Sequence, residues 1–141
     1  MKKLLNTSVI YLAFALFSGV FYREFTKWNG FTGYTSLSVL HTHLFVLGVF
    51  LFLILILFVR NHQDVLKGKK FKRFFILHNI ALPFFWIMLL VRGIVQVLNI
   101  ELNSSMNAMI AGIAGVSHIL LTISLIFFVV ILYEVIKKEE K

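Results

Sequence analysis

Four long apolar segments, separated by short polar stretches, dominate the pattern of hydrophobic and polar residues. They run from about 4 to 22, 36 to 59, 71 to 97 and 108 to 136. Each is long enough to cross a bilayer, because a spanning helix needs roughly 20 residues. The alternating ten-residue segments of a membrane β-barrel are missing from the sequence. The pattern therefore predicts an all-α, single-domain membrane protein with a bundle of four transmembrane helices, the first of them uncleaved.

The polar stretches set the expected ends of these helices. Arg23–Tyr34 and residues 99–107 are predicted to be loops. Thr35 or Ser36 is placed to cap the second helix, since a hydroxyl oxygen accepts an otherwise unpaired backbone N–H at a helix start. The only proline, Pro83, falls within the third helix. A membrane helix tolerates such a break when its neighbours satisfy the freed carbonyl.

The distribution of positive charge orients the bundle. The connector of residues 60–73 carries six Lys or Arg residues and a single acid, whereas the loop of residues 99–107 has neither Lys nor Arg. By the positive-inside rule, this connector and both termini are cytoplasmic, which gives an N-in/C-in topology in the plasma membrane. The net charge of +8 is then explained by topology and contact with lipid headgroups, and no nucleic-acid partner is expected.

Four histidines fall inside the predicted spans, where ionisable side chains usually mark functional sites. From a rise of about 1.5 Å per residue, His43 lies roughly 7 Å and His41 roughly 10 Å outward of the midplane. His118 lies about 3 Å outward, and His78 about 7 Å toward the cytoplasm. His41 or His43 can therefore approach His118. Both cannot bind one metal, since helical positions two apart point about 200° apart.

Two helix faces carry the remaining candidate residues. On the fourth helix, His118 shares a face with small residues, which let a neighbouring backbone or a flat cofactor approach closely, and we expect this face to point into the bundle. That face comprises Ala111, Gly112, Gly115, His118 and Thr122. On the third helix, His78 shares a face with Arg92, a charge that needs a partner at this depth. That face comprises His78, Leu82, Phe85, Leu89, Arg92 and Gln96.

The absence of cysteine narrows the chemistry, because it excludes disulfides, iron–sulfur clusters and thiolate metal sites. Two membrane histidines from different helices at matched depth suit axial ligation of b-type haem. His118 and either His41 or His43 are the predicted ligands, with His78 as a possible ligand of a second site. Sixteen phenylalanines supply flat apolar walls. Three outer cations are candidates to neutralise haem propionates. They are Arg23, Lys27 and Arg92.

Other interpretations stay open. The histidines are also consistent with hydrogen bonds between helices in a non-enzymatic membrane subunit or scaffold. A copper or zinc site, or a metal transporter, is a third possibility because imidazole binds both metals. We find no nucleophile–base set for hydrolysis. A homodimer is expected because four spans leave little interior, and a quinone or another redox partner would suit a haem protein.

Two stretches carry a resemblance to a known family. Tyr11–Lys27 contains Phe21-Tyr22-Arg23-Glu24-Phe25-Thr26-Lys27, and Thr35–His43 ends in His41-Thr42-His43. Both resemble a family of small four-helix bacterial membrane proteins catalogued as a domain of unknown function. The resemblance covers essentially the whole chain and implies a bacterial cell membrane, but no activity.

A looser resemblance is to the catalytic subunits of haem–copper oxidases, in which a His-x-His pair on one membrane helix serves two haems. This chain has only four spans, no histidine cluster for copper and no cross-linked His–Tyr motif. The resemblance therefore implies haem binding for electron transfer or for redox or gas sensing, and not oxidase activity.

Overall fold

The computed structural model describes residues 1–140, and it confirms the all-α fold with four helices long and apolar enough to span a membrane. Helix α1 covers Lys2–Trp28 and α2 covers Ser36–Phe58. Helix α3 covers Lys69–Val97 without interruption at Pro83, and α4 covers Ser104–Glu139. A short 3₁₀ helix, Gln63–Lys67, lies in the basic connector.

Two helices extend into stretches that the sequence predicts to be loops. Helix α1 continues to Trp28 because nothing in Arg23–Trp28 breaks a helix; it ends before Gly30, whose φ of +59° suits glycine. Helix α4 begins at Ser104, where the side chain of Asn103 accepts a hydrogen bond of 2.8 Å from the backbone N–H of Met106. This cap satisfies one of the unpaired N–H groups at the helix start. Both boundary predictions are therefore wrong by four to six residues.

Helix α2 changes its winding along its length. It opens as a 3₁₀ turn, Ser36–Val39, passes through one α-helical turn, Leu40–His43, and then widens into a π-helical segment, Leu44–Phe50. The predicted cap is confirmed, since Thr35 Oγ1 accepts from the backbone N–H of Leu37 at 3.3 Å. Wide turns of this kind are rare and frequently occur at functional sites. Here the wide turn directly follows His43.

Helix α4 packs mainly on α3, and it does so through one side. Its buried residues are Ser117, Leu121, Ser124, Ile131 and Val135. Residues 104–116, the outer third of the helix, include no buried side chain at all. The main hydrophobic cluster fills the opposite half, where Phe52, Leu55 and Phe74 are fully buried. The bundle is therefore closed at the connector end and open beside α4 at the outer end.

Ion pairs gather the two termini and the connector at one end of the molecule. Lys138, near the C-terminus, pairs with Asp64 of the connector. Lys70 lies 3.1 Å from Glu134, and the ammonium of Lys3 lies over the ring of Phe75 at the same end. This arrangement agrees with the predicted N-in/C-in parity. The hydrogen bond from Lys138 holds the pKa of the exposed Asp64 carboxyl below its ordinary value.

Candidate functional site

Two of the predicted ligands meet at one aromatic ring. The imidazole of His43 on α2 lies 5.1 Å from the ring of Phe85 on α3, measured between centroids. The imidazole of His118 on α4 lies 4.6 Å from the same ring and perpendicular to it. The two imidazoles are therefore at most about 10 Å apart, the limit set by these two distances. The structure thus brings together the histidine pair that the depth argument matched.

Both imidazoles are held in the same way by their own helices. The Nδ1 of His43 lies 2.7 Å from the carbonyl oxygen of Val39, and the Nδ1 of His118 lies 2.8 Å from that of Ala114. A carbonyl only accepts, so Nδ1 carries the proton in each ring and donates it. The lone pair of a neutral imidazole is then on Nε2. An Nδ1–H bonded to a backbone carbonyl is the usual means of orienting Nε2 toward a metal.

An open groove borders His43 on α2. Its volume is about 340 Å³, and it is lined by Thr42, His43, Val46 and Leu47. On α4, the outer third stands free of the core. A Cβ added at Gly112 or Gly115 would meet no atom within 4 Å. The groove is consequently accessible from the hydrocarbon region.

The prediction that the small-residue face of α4 points into the bundle is wrong. Ala111, Gly115, His118 and Thr122 are all exposed. The helix instead turns the adjacent Ser117 and Leu121 toward α3, because its larger apolar residues at the connector end, such as Ile131, share that side. His118 is therefore at the margin of the α3–α4 contact, where it reaches Phe85 with its ring edge-on.

One of the three predicted propionate partners connects α3 to α4. Arg92 is two turns outward of Phe85 on α3, and its guanidinium donates to Asn107 Oδ1 on α4 at 2.6 Å. Arg23 and Lys27 are on the outer end of α1, and Arg23 pairs with its neighbour Glu24. Arg92 therefore joins the outer parts of α3 and α4, the helices of Phe85 and His118, whereas Arg23 and Lys27 belong to α1.

His41 faces away from this pair. Its side chain packs against α1, where a Cβ added at Gly19 would lie 3.8 Å from the Cβ of His41. Its Nδ1 is buried and finds no hydrogen-bond partner among the described residues. The expected opposition of His41 and His43 across one helix is thus seen directly. His62, at the connector end, lies 3.9 Å from Glu139.

His78 occupies a fully buried position between three helices. Its Nε2 lies 2.9 Å from the carbonyl oxygen of Leu47 in the π-helical segment, and its Nδ1 lies 2.9 Å from Ser124 Oγ. In the neutral ring, Nε2–H donates to the carbonyl, and Nδ1 accepts from the Ser124 hydroxyl. The single hydrogen of that hydroxyl is then shared between His78 and the carbonyl of Leu121, which lies 2.8 Å from Ser124 Oγ. Ligation by His78 would require one of these bonds to break.

Sequence reasoning missed three parts of this arrangement. Ser124 and the carbonyl of Leu47 were not predicted as partners of His78, and Phe85 was not predicted to contact both His43 and His118. Ser124 lies six residues after His118 on α4, and this spacing is at most a weak signal of its contact with His78. The contact of His78 with the Leu47 carbonyl depends on the π-helical segment, for which no reliable sequence pattern exists.

Within residues 1–140, no group of three or more His, Cys, Asp or Glu side chains is close enough to hold a metal ion. The chain belongs to the protein family of unknown function DUF2871, whose model matches residues 1–135. This match confirms the resemblance drawn from the Tyr11–Lys27 and Thr35–His43 stretches. No curated protein and no solved structure matches the chain.

Proposed function

We propose that this protein binds one b-type haem in the outer half of the membrane, with His43 and His118 as axial ligands. The observation that carries the proposal is the pairing of these imidazoles around Phe85. Each has its Nδ1–H fixed by a backbone carbonyl, and neither Nε2 has a recorded hydrogen bond to residues 1–140. The two rings belong to α2 and α4, so they can approach a flat group from opposite sides, as axial ligation requires.

Haem explains this donor set better than a bare metal ion does. A structural zinc ion needs about four protein ligands, whereas the described residues gather two imidazoles and no larger cluster. A porphyrin brings four nitrogens of its own, so two histidines complete its coordination. Arg92, which is half-buried and bridges α3 to Asn107, is the cation best placed to pair with a propionate.

The open side of the bundle supplies a way in for a flat group. The outer third of α4 has no buried side chain that entry would expose. Phe85 contacts both imidazoles, so a flat group bound by both would have to displace its ring. The π-helical segment after His43 gives this part of α2 an irregular winding that differs from the rigid α-helix at Leu51–Phe58.

A bound haem would supply one-electron chemistry or a site for a diatomic gas, which suits electron transfer or redox and gas sensing. The chain's own residues would hold and orient the iron through His43 and His118. They would also exclude water through the surrounding phenylalanines. We find no set of acid, base and nucleophile that would support further turnover.

Absorbance spectroscopy of the purified protein tests the proposal. Protein expressed with ample haem should show a Soret band that shifts on reduction by dithionite. His43→Ala and His118→Ala should each abolish or strongly change that band. His41→Ala and His62→Ala are matched controls, since their rings lie elsewhere, and they should retain it. A colourless protein, or equal loss in all four variants, would refute the assignment.

The second candidate function is a membrane subunit or scaffold whose histidines only bind other helices. The hydrogen bonds of His78 to Leu47 and Ser124 favour it, because they account fully for one buried histidine without any ligand. Metal analysis of the same sample covers the copper and zinc alternative. Homodimer formation stays a prediction, and size-exclusion chromatography with light scattering tests it.

A further inference from the structure

A second cavity lies on a different side of α3, between α1 and α3. Its volume is about 390 Å³, and its lining is almost entirely apolar and aromatic. Tyr11 and Phe14 of α1 face Pro83 and Trp86 of α3, with Leu44 of α2 as part of the wall. Pro83 is near the middle of α3, so the cavity is at the centre of the membrane.

The walls of this cavity are flat. Phe14 and Trp86 meet edge to face, with 6.0 Å between their ring centroids. Trp86 is fixed by a hydrogen bond of 3.0 Å from its Nε1–H to Ser18 Oγ. Offset and edge-on contacts between aromatic rings stabilise planar ligands beyond simple area burial. The shape and composition of the lining therefore suit a planar ring.

A small polar group is placed at the same cavity, although it lies in the hydrocarbon region. The Tyr11 hydroxyl donates to Asn79 Oδ1 at 3.1 Å, and Asn79 Nδ2 donates one hydrogen to the carbonyl of Phe75 at 2.7 Å. This leaves the second Nδ2 hydrogen as a free donor and the Tyr11 oxygen as a free acceptor. The carbonyl of Asn79 also lacks its helical donor, because the residue four positions on is Pro83.

A lipid acyl chain would fill the apolar volume but leave these polar atoms unpaired, which is costly in a hydrocarbon environment. A quinone ring carries carbonyl oxygens that accept from Asn79 Nδ2–H. A quinol carries hydroxyls that donate to the Tyr11 oxygen or to the Asn79 carbonyl. The same ring is planar, apolar on its faces and delivered from the membrane interior by an isoprenoid tail. We propose that this cavity binds the ring of an isoprenoid quinone or quinol.

The site is close to the histidine pair in the fold. Leu44 follows His43 directly in α2, and Trp86 follows Phe85 in α3, so the two sites flank the same turns from different sides. Binding of the quinone does not depend on the proposed haem and can be measured without it. Its failure and the failure of haem binding are therefore separate results.

Tryptophan fluorescence provides the test, because the chain has only two tryptophans and one of them lines the cavity. Trp28→Phe leaves Trp86 as the sole emitter, and Trp86→Phe leaves Trp28, which is 78% exposed near the outer end of α1. Each variant is reconstituted in phosphatidylcholine vesicles and titrated with a short-tailed ubiquinone, which quenches indole emission. Saturable quenching of Trp86, with linear quenching of Trp28, is the expected result.

Two variants then connect the quenching to the polar group. Asn79→Leu removes the free donor, and Tyr11→Phe removes the hydroxyl while keeping the ring. With ubiquinone, which only accepts hydrogen bonds, Asn79→Leu should weaken the saturable binding about fivefold, the effect of one hydrogen bond of roughly 1 kcal/mol. Tyr11→Phe should leave ubiquinone binding nearly unchanged and should weaken about fivefold the binding of the corresponding quinol, which can donate to the Tyr11 oxygen. Linear quenching of Trp86, or saturable quenching by ubiquinone that is unchanged in folded Asn79→Leu, would overturn the proposal. So would quenching by brominated phospholipid that ubiquinone cannot displace, since the cavity would then hold an acyl chain.

Discussion

Replacement of His78 separates a structural histidine from a ligand. The side chain is fully buried, and it joins α3 to the π-helical segment through Leu47 and to α4 through Ser124. His78→Ala deletes both hydrogen bonds and leaves a cavity. Interhelical hydrogen bonds in membrane proteins contribute on average about 0.6 and at most about 1.7 kcal/mol each. Two such bonds predict a loss of about 1–3 kcal/mol in the free energy of unfolding.

Matched variants show how much of this loss in the free energy of unfolding comes from each hydrogen bond. Ser124→Ala removes only one of the two bonds, so it should cost about 0.6 kcal/mol. The double variant His78→Ala/Ser124→Ala should lose less free energy of unfolding than the two single variants added together. The difference should again be about 0.6 kcal/mol, because the bond between the two side chains is counted in both single variants. His118→Ala should have little effect on stability, since its ring is exposed and bonds only to a carbonyl of its own helix.

The assay is unfolding in mixed micelles with increasing dodecyl sulfate, followed by circular dichroism, with an absorbance spectrum of each folded sample. We expect His78→Ala to lose stability and to keep whatever haem the wild type carries. His118→Ala should show the opposite pattern. Retained stability together with loss of haem in His78→Ala would refute this reasoning, because His78 would then be a ligand, as the sequence allows.

Two further predictions concern close packing and charge. A Cβ added at Gly93 would lie 2.7 Å from the backbone nitrogen of Leu37, so Gly93→Ala should lower the free energy of unfolding by about 1–3 kcal/mol. In Gly112→Ala the added methyl group meets open space, so this variant should be neutral or stabilising by up to about 1 kcal/mol. Equal changes in the free energy of unfolding for the two variants would contradict the close contact between Gly93 and Leu37. The lowered pKa of Asp64 means that its contact with Lys138 persists at neutral pH and is lost as the pH falls through that pKa. In Lys138→Ala, carboxyl NMR should therefore show the Asp64 pKa rising toward its ordinary value of 3.8, and an unchanged titration would exclude the contact.

The hydrophobic pattern was sufficient for the fold class and the number of spans, because apolar segments of this length are stable only as helices in a membrane. It was less reliable at the helix ends. Residues 23–28 are polar yet helical, since a helix that leaves the bilayer continues until a residue such as Gly30 stops it. The cap at Thr35 was predicted correctly because it depends on one side chain and its immediate neighbours.

Some features of the candidate site also follow from the sequence alone. Depth along each helix follows from counting residues, so the sequence alone matched His43 with His118 and separated His78 from them. The opposition of His41 and His43 also follows from local helical geometry. These inferences need only the rise and turn of one helix.

Which face of a helix meets its neighbours was decided only by the tertiary structure. The stripe of small residues on α4 looked like a packing face, but Ser117, Leu121 and Ile131 pack against α3 instead. His118 thereby comes to the exposed margin of the contact between α3 and α4. The pairing of His78 with Leu47 likewise requires a π-helical turn and two distant helices. The sequence determined how deep each histidine lies, and long-range packing, which the local pattern does not encode, determined what each one faces.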